Sequence, residues 1–400
     1  MAPVTHPLFQ PARLGPVEVR NRMVKAATFE GMARDGLVSD ELIEFHRAHA
    51  RGGVGLTTLA YVSVAPEGRT YRNQVWVRDE AMPGLARLAD AVHTEGAAIA
   101  AQVGHAGWFA NPRATGGPCL GPSRKFSPSA LRFSRALNEP DLDRLLADFE
   151  RSARMLVAAG FDALEVHLGH GYLLSQFLSP WTNKRRDAYG GDIERRAEFP
   201  RRAVRAVREG SLGRAAVTVK LNMTDGFRSG LQIDDAVVVA RLLQEDGSVD
   251  AIQLTGGFTA RTPMFLMRGD VPLKELAAAE PDRLRRLGMR LASPWILRGW
   301  PFGEAFFRPM ARRFLQAVDV PLMLLGGITR LETMTSALDE GFGFVAMARA
   351  LLHDRDLPNK LAAGSVTSSA CDHNNRCIVT MEHGGTRCVL LDATQARSAQ

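Results

Sequence analysis

The sequence predicts a single α/β domain folded as a (β/α)8 TIM barrel. Short apolar runs of strand length alternate with amphipathic segments of helix length along the 400 residues. Strands buried on both faces of a parallel sheet read as unbroken apolar runs, as these do. The alternative fold, a doubly wound open sheet, would place a glycine-rich dinucleotide turn after the first strand, and no such turn occurs there. Barrels of this length commonly form one domain.

Eight strands can be placed in chain order, and a predicted helix follows each of them except the sixth. Helix limits follow from capping residues, such as Ser39 before the first helix and Gly160 after the third. The predicted strands are 23–28, 54–64, 97–103, 163–166, 215–222, 250–255, 321–325 and 342–348. The predicted helices are 39–51, 83–95, 140–159, 193–209, 233–244, 330–339 and 356–363.

Two segments depart from this repeat. Residues 256–309, after strand six, are too long for an ordinary βα unit and hold nine basic against five acidic residues. Residues 366–400 form a short tail with three of the four cysteines. We therefore divide the chain into a barrel, 1–365, that contains 256–309 as an insertion or lid, and a C-terminal tail, 366–400.

Composition and charge argue against a nucleic-acid-binding protein and against a membrane protein. An apolar share of 46% with 23% charged residues is typical of a soluble globular protein with a large core. The net charge of +7 is small for a chain of this length, and no basic stretch is interleaved with aromatics, so we expect no nucleic-acid partner. No run of eighteen apolar residues and no signal sequence is found, which predicts a cytoplasmic protein without a membrane partner.

Three protonatable side chains follow the predicted fourth strand within six positions: His167, His170 and Tyr172. The carboxyl ends of parallel barrel strands are where α/β barrels carry their active sites. A single histidine after a strand is more often structural, but this cluster, flanked by glycines, favours a catalytic role.

The segment HLGHGYLLSQFLSPWTNKRRDAYGG, residues 167–191, closely resembles the signature segment of the old yellow enzyme family of FMN-dependent ene-reductases. In that family the positions of His167, His170 and Tyr172 form the substrate site. The resemblance covers nearly all of residues 5–365, and it implies FMN as the cofactor and NADH or NADPH as the reductant. It also implies a small electron-poor alkene as the substrate, and we expect a homo-oligomer.

The resemblance also implies which residues hold the flavin. Gln102 ends strand three in the segment QVGHAG, and its amide offers a donor and an acceptor to the flavin pyrimidine. Lys220 lies inside strand five, where the family usually has arginine beside the reduced flavin's negative charge. The loops after strands seven and eight are the usual phosphate site of barrels. The full set of predicted cofactor-binding residues is Ala26, Ala27, Thr28, Ala60, Gln102, Lys220, Gly326, Gly327, Ala348 and Arg349.

The implied reaction is the reduction of an electron-poor C=C bond in an enone, a nitroalkene or a related compound. His167 and His170 would hydrogen-bond the substrate's carbonyl or nitro oxygen while flavin N5 delivers a hydride. Tyr172 would then protonate the α-carbon. Two other classes stay open at this point: a barrel isomerase or lyase without flavin, for which Lys220 is the only suitable lysine, and a redox-inactive binding protein.

The tail CDHNNRCIVTMEHGGTRC resembles the cysteine cluster that holds an iron–sulfur centre in 2,4-dienoyl-CoA reductases. Such a cluster requires four thiolates. This chain has Cys371, Cys377 and Cys388, with Asn374 where a fourth would stand, so we predict no bound metal. The alternatives are a 2,4-dienoyl-CoA reductase-like enzyme with a C-terminal metal site, and a zinc site made of the three thiols and His373.

The positive charge of the insertion leads to a first prediction, that it attracts a phosphorylated nicotinamide donor or an acidic substrate. Charge reversal at Arg285 and Arg286 should then raise the apparent Michaelis constant for NADPH at low ionic strength, and added salt should reduce the difference. Steady-state kinetics at two salt concentrations measure it, and an unchanged constant at low salt would contradict the hypothesis.

Overall fold

The computed structural model describes residues 6–127, 130–279, 283, 286–287, 297–381 and 384–391. Eight parallel strands form a closed barrel in sequence order, and the eighth pairs with the first. The predicted TIM barrel is therefore confirmed. The strands are β1 Met23–Lys25, β2 Leu56–Ser63, β3 Ala98–Gly104, β4 Ala163–Leu168, β5 Ala216–Asn222, β6 Ala251–Thr255, β7 Leu322–Leu324 and β8 Phe344–Met347.

Within the described residues, eight helices pack around the barrel and cover the outer face of the sheet. Capping fixes several helix starts: the Ser39 hydroxyl accepts from the Leu42 N–H, and Asn138 and Asp141 form a capping box. The helices are α1 Asp40–Arg51, α2 Met82–Thr94, α3 Glu139–Ala158, α4 Ile193–Ser211, α5 Ile233–Glu245, α6 Arg308–Leu315, α7 Leu331–Asp339 and α8 Leu357–Ala362. None of the helices in the described ranges is both long and apolar enough to cross a lipid bilayer.

An antiparallel hairpin, Ala12–Leu14 with Val17–Val19, closes the amino-terminal end of the barrel. Its Leu14 packs with the small first residues of the strands, such as Ala163 and Ala216. Because this end is filled by apolar side chains, a ligand can enter the barrel only from the carboxyl ends of the strands.

Shorter elements lie between the strands and helices of the barrel, before its first strand and in the tail. The short strands are Leu120–Gly121, Phe126–Ser127, Arg132–Phe133 and Arg135–Ala136. The short α-helices are Pro112–Thr115, Leu173–Leu178, Pro263–Leu266, Leu273–Ala279, Arg349–His353 and Cys377–Thr380. The 3-10 turns are Pro7–Phe9, Pro66–Gly68, Asp79–Ala81 and Gly107–Phe109.

The insertion and the tail pack against each other. Asn375 of the tail, which is fully buried, donates to the Met267 and Asp270 carbonyls of the insertion at 2.7 and 2.9 Å. Arg376 also pairs with Glu275 at 3.1 Å. Arg285 and Arg290 of the predicted lid, together with 1–5 and 392–400, lie outside the described residues. The role of the insertion as a lid stays a prediction.

The barrel interior holds a buried ion pair in its middle layer. The Lys220 ammonium on β5 lies 3.0 Å from the Glu165 carboxylate on β4, and both side chains are almost completely buried. The Gln102 amide on β3 donates to the same carboxylate oxygen at 2.6 Å. Three neighbouring strands are thus connected through one carboxylate in a region without access to bulk water.

Removal of this carboxylate should destabilise the fold. Glu165→Gln leaves the Lys220 ammonium buried without a counter-charge, so we expect the free energy of unfolding to fall by roughly 3–5 kcal/mol. Urea unfolding of ligand-free protein measures this loss. The double variant Glu165→Gln/Lys220→Met removes both charges and should recover much of it. A double variant no more stable than Glu165→Gln would contradict the ion-pair explanation.

Candidate active site

The predicted catalytic residues lie together at the carboxyl end of β4. His167 is on the strand and fully buried. The chain then turns through His170 and Gly171, which have φ angles of +59° and +77°. This left-handed turn brings Tyr172 to the start of the helix Leu173–Leu178. Gly171 is required here, because a Cβ atom would lie 2.3 Å from the Phe258 ring.

The turn packs the three rings into one cluster. The His167 ring centroid is 4.9 Å from that of His170 and 4.8 Å from that of Tyr172. Tyr61 on β2 packs at 5.0 Å from Tyr172, and its hydroxyl donates to the Gly68 carbonyl. The sequence prediction that His167, His170 and Tyr172 lie together is therefore matched by their positions.

Burial keeps both imidazoles neutral. Desolvation, and then the charges of His170 and Lys220, lower the pKa of His167 well below its ordinary value. Desolvation, and then the charge of Lys220, lower the pKa of His170 to about 3. Burial raises the pKa of Tyr172 to about 12. At neutral pH the site therefore has two neutral imidazoles and one protonated phenol.

Hydrogen bonds fix the orientation of both histidines. The Gly169 N–H donates to His167 Nδ1 at 3.3 Å, which leaves the ring proton on Nε2. His170 Nε2 is 2.9 Å from the Thr255 hydroxyl on β6. The His170 N–H donates to the Asn222 side chain, which in turn donates to the buried Asp225 carboxylate. Strands β4, β5 and β6 therefore hold the turn from His167 to Tyr172, which carries the three predicted catalytic residues and is termed the catalytic turn.

The predicted flavin-facing residues surround the ring cluster. Gln102 and Lys220 lie on β3 and β5, on either side of β4, and the register places Lys220 beside His167. Ala60 lies on β2, while Ala26, Ala27 and Thr28 follow β1 as a loop rather than continuing the strand to residue 28. The buried Thr28 hydroxyl has no hydrogen-bond partner among the described residues, which fits a polar ligand at this edge.

The predicted phosphate end lies after β7 and β8. Gly326 and Gly327 have φ angles of +110° and +73°. Within the described ranges, no hydrogen bond uses either of their N–H groups. Free backbone donors of this kind fit a phosphate. Packing also demands these glycines, since a Cβ on Gly326 would lie 2.5 Å from the Phe307 ring.

Arg349 lies directly beyond β8, next to Ala348, and is held from two sides. One of its nitrogens donates to the Arg268 carbonyl of the insertion, at 2.7 Å, and to the Asn375 side chain of the tail. Desolvation by burial is the main cause that lowers its pKa, and the charges of Cys371 and Cys377 offset it only in part. Within the described residues, no ion pair joins its guanidinium to a carboxylate. A partly buried cation without such a partner fits a phosphate at this place.

The donor set of the open end therefore suits FMN. The Gln102 amide and the Lys220 ammonium, on strands either side of β4, could donate to the pyrimidine, and the Arg349 guanidinium with the N–H groups of Gly326 and Gly327 could hold the phosphate. These residues come from different strands, and the barrel brings them to one rim.

Sequence reasoning missed several residues of the site. Glu165 stands within a strand that reads as apolar, and a lone carboxylate there should have signalled a buried partner. Lys25 on β1 gives the same signal and is paired with Glu30 at 3.3 Å. Glu30 also accepts from the Ala60 N–H. Nothing in the neighbouring sequence indicates that Thr255, Asn222 or Asp225 belongs to the site, because only the fold brings them to His170.

The C-terminal thiols do not assemble with His373. Cys388 instead has His353 as its neighbour, at 3.4 Å, while the His373 ring stacks on Phe302. Among the described residues, no group of three or more His, Cys, Asp or Glu side chains is arranged to hold a metal ion. The arrangement of these residues therefore does not support the Cys₃His zinc alternative.

Comparison with known proteins now identifies the family. A sequence model of the NADH:flavin oxidoreductase / NADH oxidase family matches residues 7–257. A 4,4′-dithiodibutanoate disulfide reductase of Rhodococcus erythropolis is 51% identical over 395 residues, which cover 99% of this chain and 98% of the relative. An NADH oxidase of Thermoanaerobacter brockii is 31% identical over 89% of this chain, which spans about half (51%) of that protein's length.

Solved structures agree on the fold. A 2-naphthoyl-CoA reductase matches with a TM-score of 0.81 and 23% identity, over 96% of this chain and 56% of the other. An old yellow enzyme homologue from Zymomonas mobilis matches with a TM-score of 0.71 and 23% identity, over 90% of this chain and 94% of the other. The chain thus belongs to the NADH:flavin oxidoreductase / NADH oxidase family, the family of the old yellow enzymes, and is an NAD(P)H-dependent flavin oxidoreductase with FMN as its cofactor.

Proposed function

We propose that the enzyme reduces the C=C bond of small electron-poor alkenes, such as enones and nitroalkenes. The observation that carries the proposal is the cluster of two neutral imidazoles and one protonated phenol at the open end of the barrel, in which the His167 ring lies within 5 Å of both the His170 and the Tyr172 rings. Hydrogen-bond donors and a proton source in one cluster match the needs of a conjugate reduction.

The reaction balances with one reductant. Alkene, NAD(P)H and one proton give the saturated product and NAD(P)⁺. FMN, when bound, accepts a hydride from the nicotinamide and passes it to the alkene. The protein's tasks are to hold the acceptor, to stabilise the charge that develops on its oxygen and to deliver the proton.

The histidines stabilise that charge. His167 carries its ring proton on Nε2, because Nδ1 accepts from the Gly169 N–H. The Thr255 hydroxyl can donate to His170 Nε2, which leaves the proton on Nδ1 of that ring. Two neutral donors then face the substrate oxygen. Their hydrogen bonds strengthen as the oxygen becomes an enolate or nitronate, so they favour the transition state over the bound substrate.

Tyr172 supplies the proton to the α-carbon. A general acid must stay protonated at the working pH, and the raised pKa of Tyr172, about 12, ensures this. The enolate that forms is basic enough to take the proton from a phenol.

A second candidate is the reduction of an organic disulfide. The relative from Rhodococcus erythropolis, 51% identical over nearly the whole of both chains, has that activity by name. The residues proposed here can serve it as well: the disulfide, NAD(P)H and one proton give two thiols and NAD(P)⁺. Hydride attack on one sulfur would break the S–S bond, and Tyr172 would protonate the departing thiolate.

A panel of acceptors decides between the two. Holoenzyme is reduced anaerobically with one equivalent of NADPH and mixed with 2-cyclohexenone, β-nitrostyrene or 4,4′-dithiodibutanoate, and the return of flavin absorbance is followed by stopped flow. We expect both alkenes to reoxidise the enzyme in a concentration-dependent way and to give saturated products. Reoxidation by the disulfide alone would replace the first proposal with the second, and reoxidation by none would contradict both.

The role of Tyr172 is tested by separating the half-reactions. Tyr172→Phe should leave flavin reduction by NADPH within about twofold and slow reoxidation by 2-cyclohexenone by roughly 10²–10⁴-fold, the usual contribution of a general acid. Tyr61→Phe is the matched control, because its hydroxyl is already bonded to the Gly68 carbonyl. Equal slowing of both half-reactions by Tyr172→Phe would show that Tyr172 is not the acid.

A further inference from the structure

Two cations converge on one tryptophan at the rim of the barrel. The Lys125 ammonium, from the segment between β3 and α3, lies 3.8 Å from the centre of the Trp181 ring. The Arg261 guanidinium, from the loop after β6, lies 5.2 Å from the centre of the same ring and 4.1 Å from that of Phe227. The cations are far apart in sequence, so the fold alone brings them together.

The tryptophan belongs to an aromatic group that reaches the catalytic turn. Trp181 packs edge-on against Phe258 at 5.3 Å and against Trp108 at 5.6 Å. Phe258 pairs with His170 through a backbone bridge and covers Gly171. One aromatic ring, Phe258, therefore separates the catalytic turn from the Trp181 ring on which the two cations sit.

This group of charges lacks an acidic partner. Within the described part of the chain, no carboxylate oxygen lies within 4 Å of Lys125, Arg261 or the neighbouring Lys184. The adjacent Arg185, in contrast, is paired with Asp187. Desolvation, and then the charges of Lys184 and Arg261, lower the pKa of Lys125. Positive charges that are partly desolvated and repel one another form a site in which a bound anion is stabilised.

Packing of cations on aromatic rings is the simpler explanation, and it accounts for the contacts with Trp181. It does not explain why two cations share one ring without a carboxylate partner among the described residues, one aromatic ring away from the catalytic turn. A carboxylate at this point would accept hydrogen bonds from both side chains, and its carbon chain would lie along Phe258 towards His170.

We propose that Lys125 and Arg261, held on Trp181, bind a carboxylate carried by the substrate, so that the preferred acceptors are small organic acids whose reducible bond lies over the catalytic turn. The inference rests on the proposed function for the identity of that bond. The carboxylate site itself is defined by the two cations and the aromatic group, and binding alone can test it.

The test compares a carboxylate with its neutral analogue of nearly the same shape. Binding of trans-cinnamate and of cinnamamide to oxidised, FMN-loaded enzyme is measured by isothermal titration calorimetry, without reductant and hence without turnover. We expect the wild type to bind cinnamate more tightly than cinnamamide. Lys125→Gln and Arg261→Gln should each weaken cinnamate binding roughly tenfold and change cinnamamide binding by less than about twofold.

Two further variants make the result specific. Lys125→Arg keeps the charge and should retain most of the cinnamate affinity. Arg214→Gln removes the same charge from an exposed position just before β5, at the closed end of the barrel, and should change neither ligand. Equal loss of both ligands in the glutamine variants, or no preference for cinnamate in the wild type, would overturn the carboxylate site. Neither outcome depends on which acceptor the enzyme reduces, because no acceptor is turned over.

Discussion

The structure depends on the requirement that buried charges be paired. Lys220 and Glu165 lie in the middle of the barrel, where an unpaired charge would be very costly, and their 3.0 Å contact satisfies both. The same carboxylate accepts from Gln102, so the two predicted pyrimidine-binding side chains share one anchor. One glutamate on β4 thus positions donors on the two adjacent strands, β3 and β5. It also keeps the Lys220 ammonium paired, which argues against an isomerase or lyase that would use this lysine.

Around this anchor, the reactive groups are held by short loops that are locked by the neighbouring strands. The turn after β4, which carries the proposed catalytic residues, is fixed by Asn222 on β5 and by Thr255 on β6, while Phe258 fills the space that Gly171 leaves. Such support limits the motion of the histidines and Tyr172, as the proposed reaction requires. Burial has a second effect, since it keeps the imidazoles neutral and makes them donors without adding positive charge beside Lys220.

Most of the fold was predictable because barrel strands are buried on both faces and therefore read as apolar runs with clear ends. The limits of the predicted strands and helices differ from the observed limits by only a few residues; β1, for example, ends at Lys25 and not at residue 28. Helix α6, Arg308–Leu315, was not predicted. The ring cluster was predictable because its members are neighbours in sequence. Glu165 was missed because a single acidic residue hardly changes the apolar character of a strand, and Glu30 because it lies in the loop after β1 and only the fold brings it to Ala60. The sequence could not predict the roles of Asn222, Thr255 and Asn375. Their hydrogen-bond partners are distant in sequence, and only the closed barrel brings them together.

Asn375 links the C-terminal tail to the barrel through its side-chain hydrogen bonds. Its side chain joins Arg349 beyond β8 to the insertion backbone, so the tail, the insertion and the arginine form one cooperative unit. Any anion that orders the guanidinium also favours the docked tail. Thermodynamic reciprocity then requires the docked tail to contribute to the affinity for that anion. Through Asn375, docking of the tail and binding of an anion at Arg349 are thereby linked.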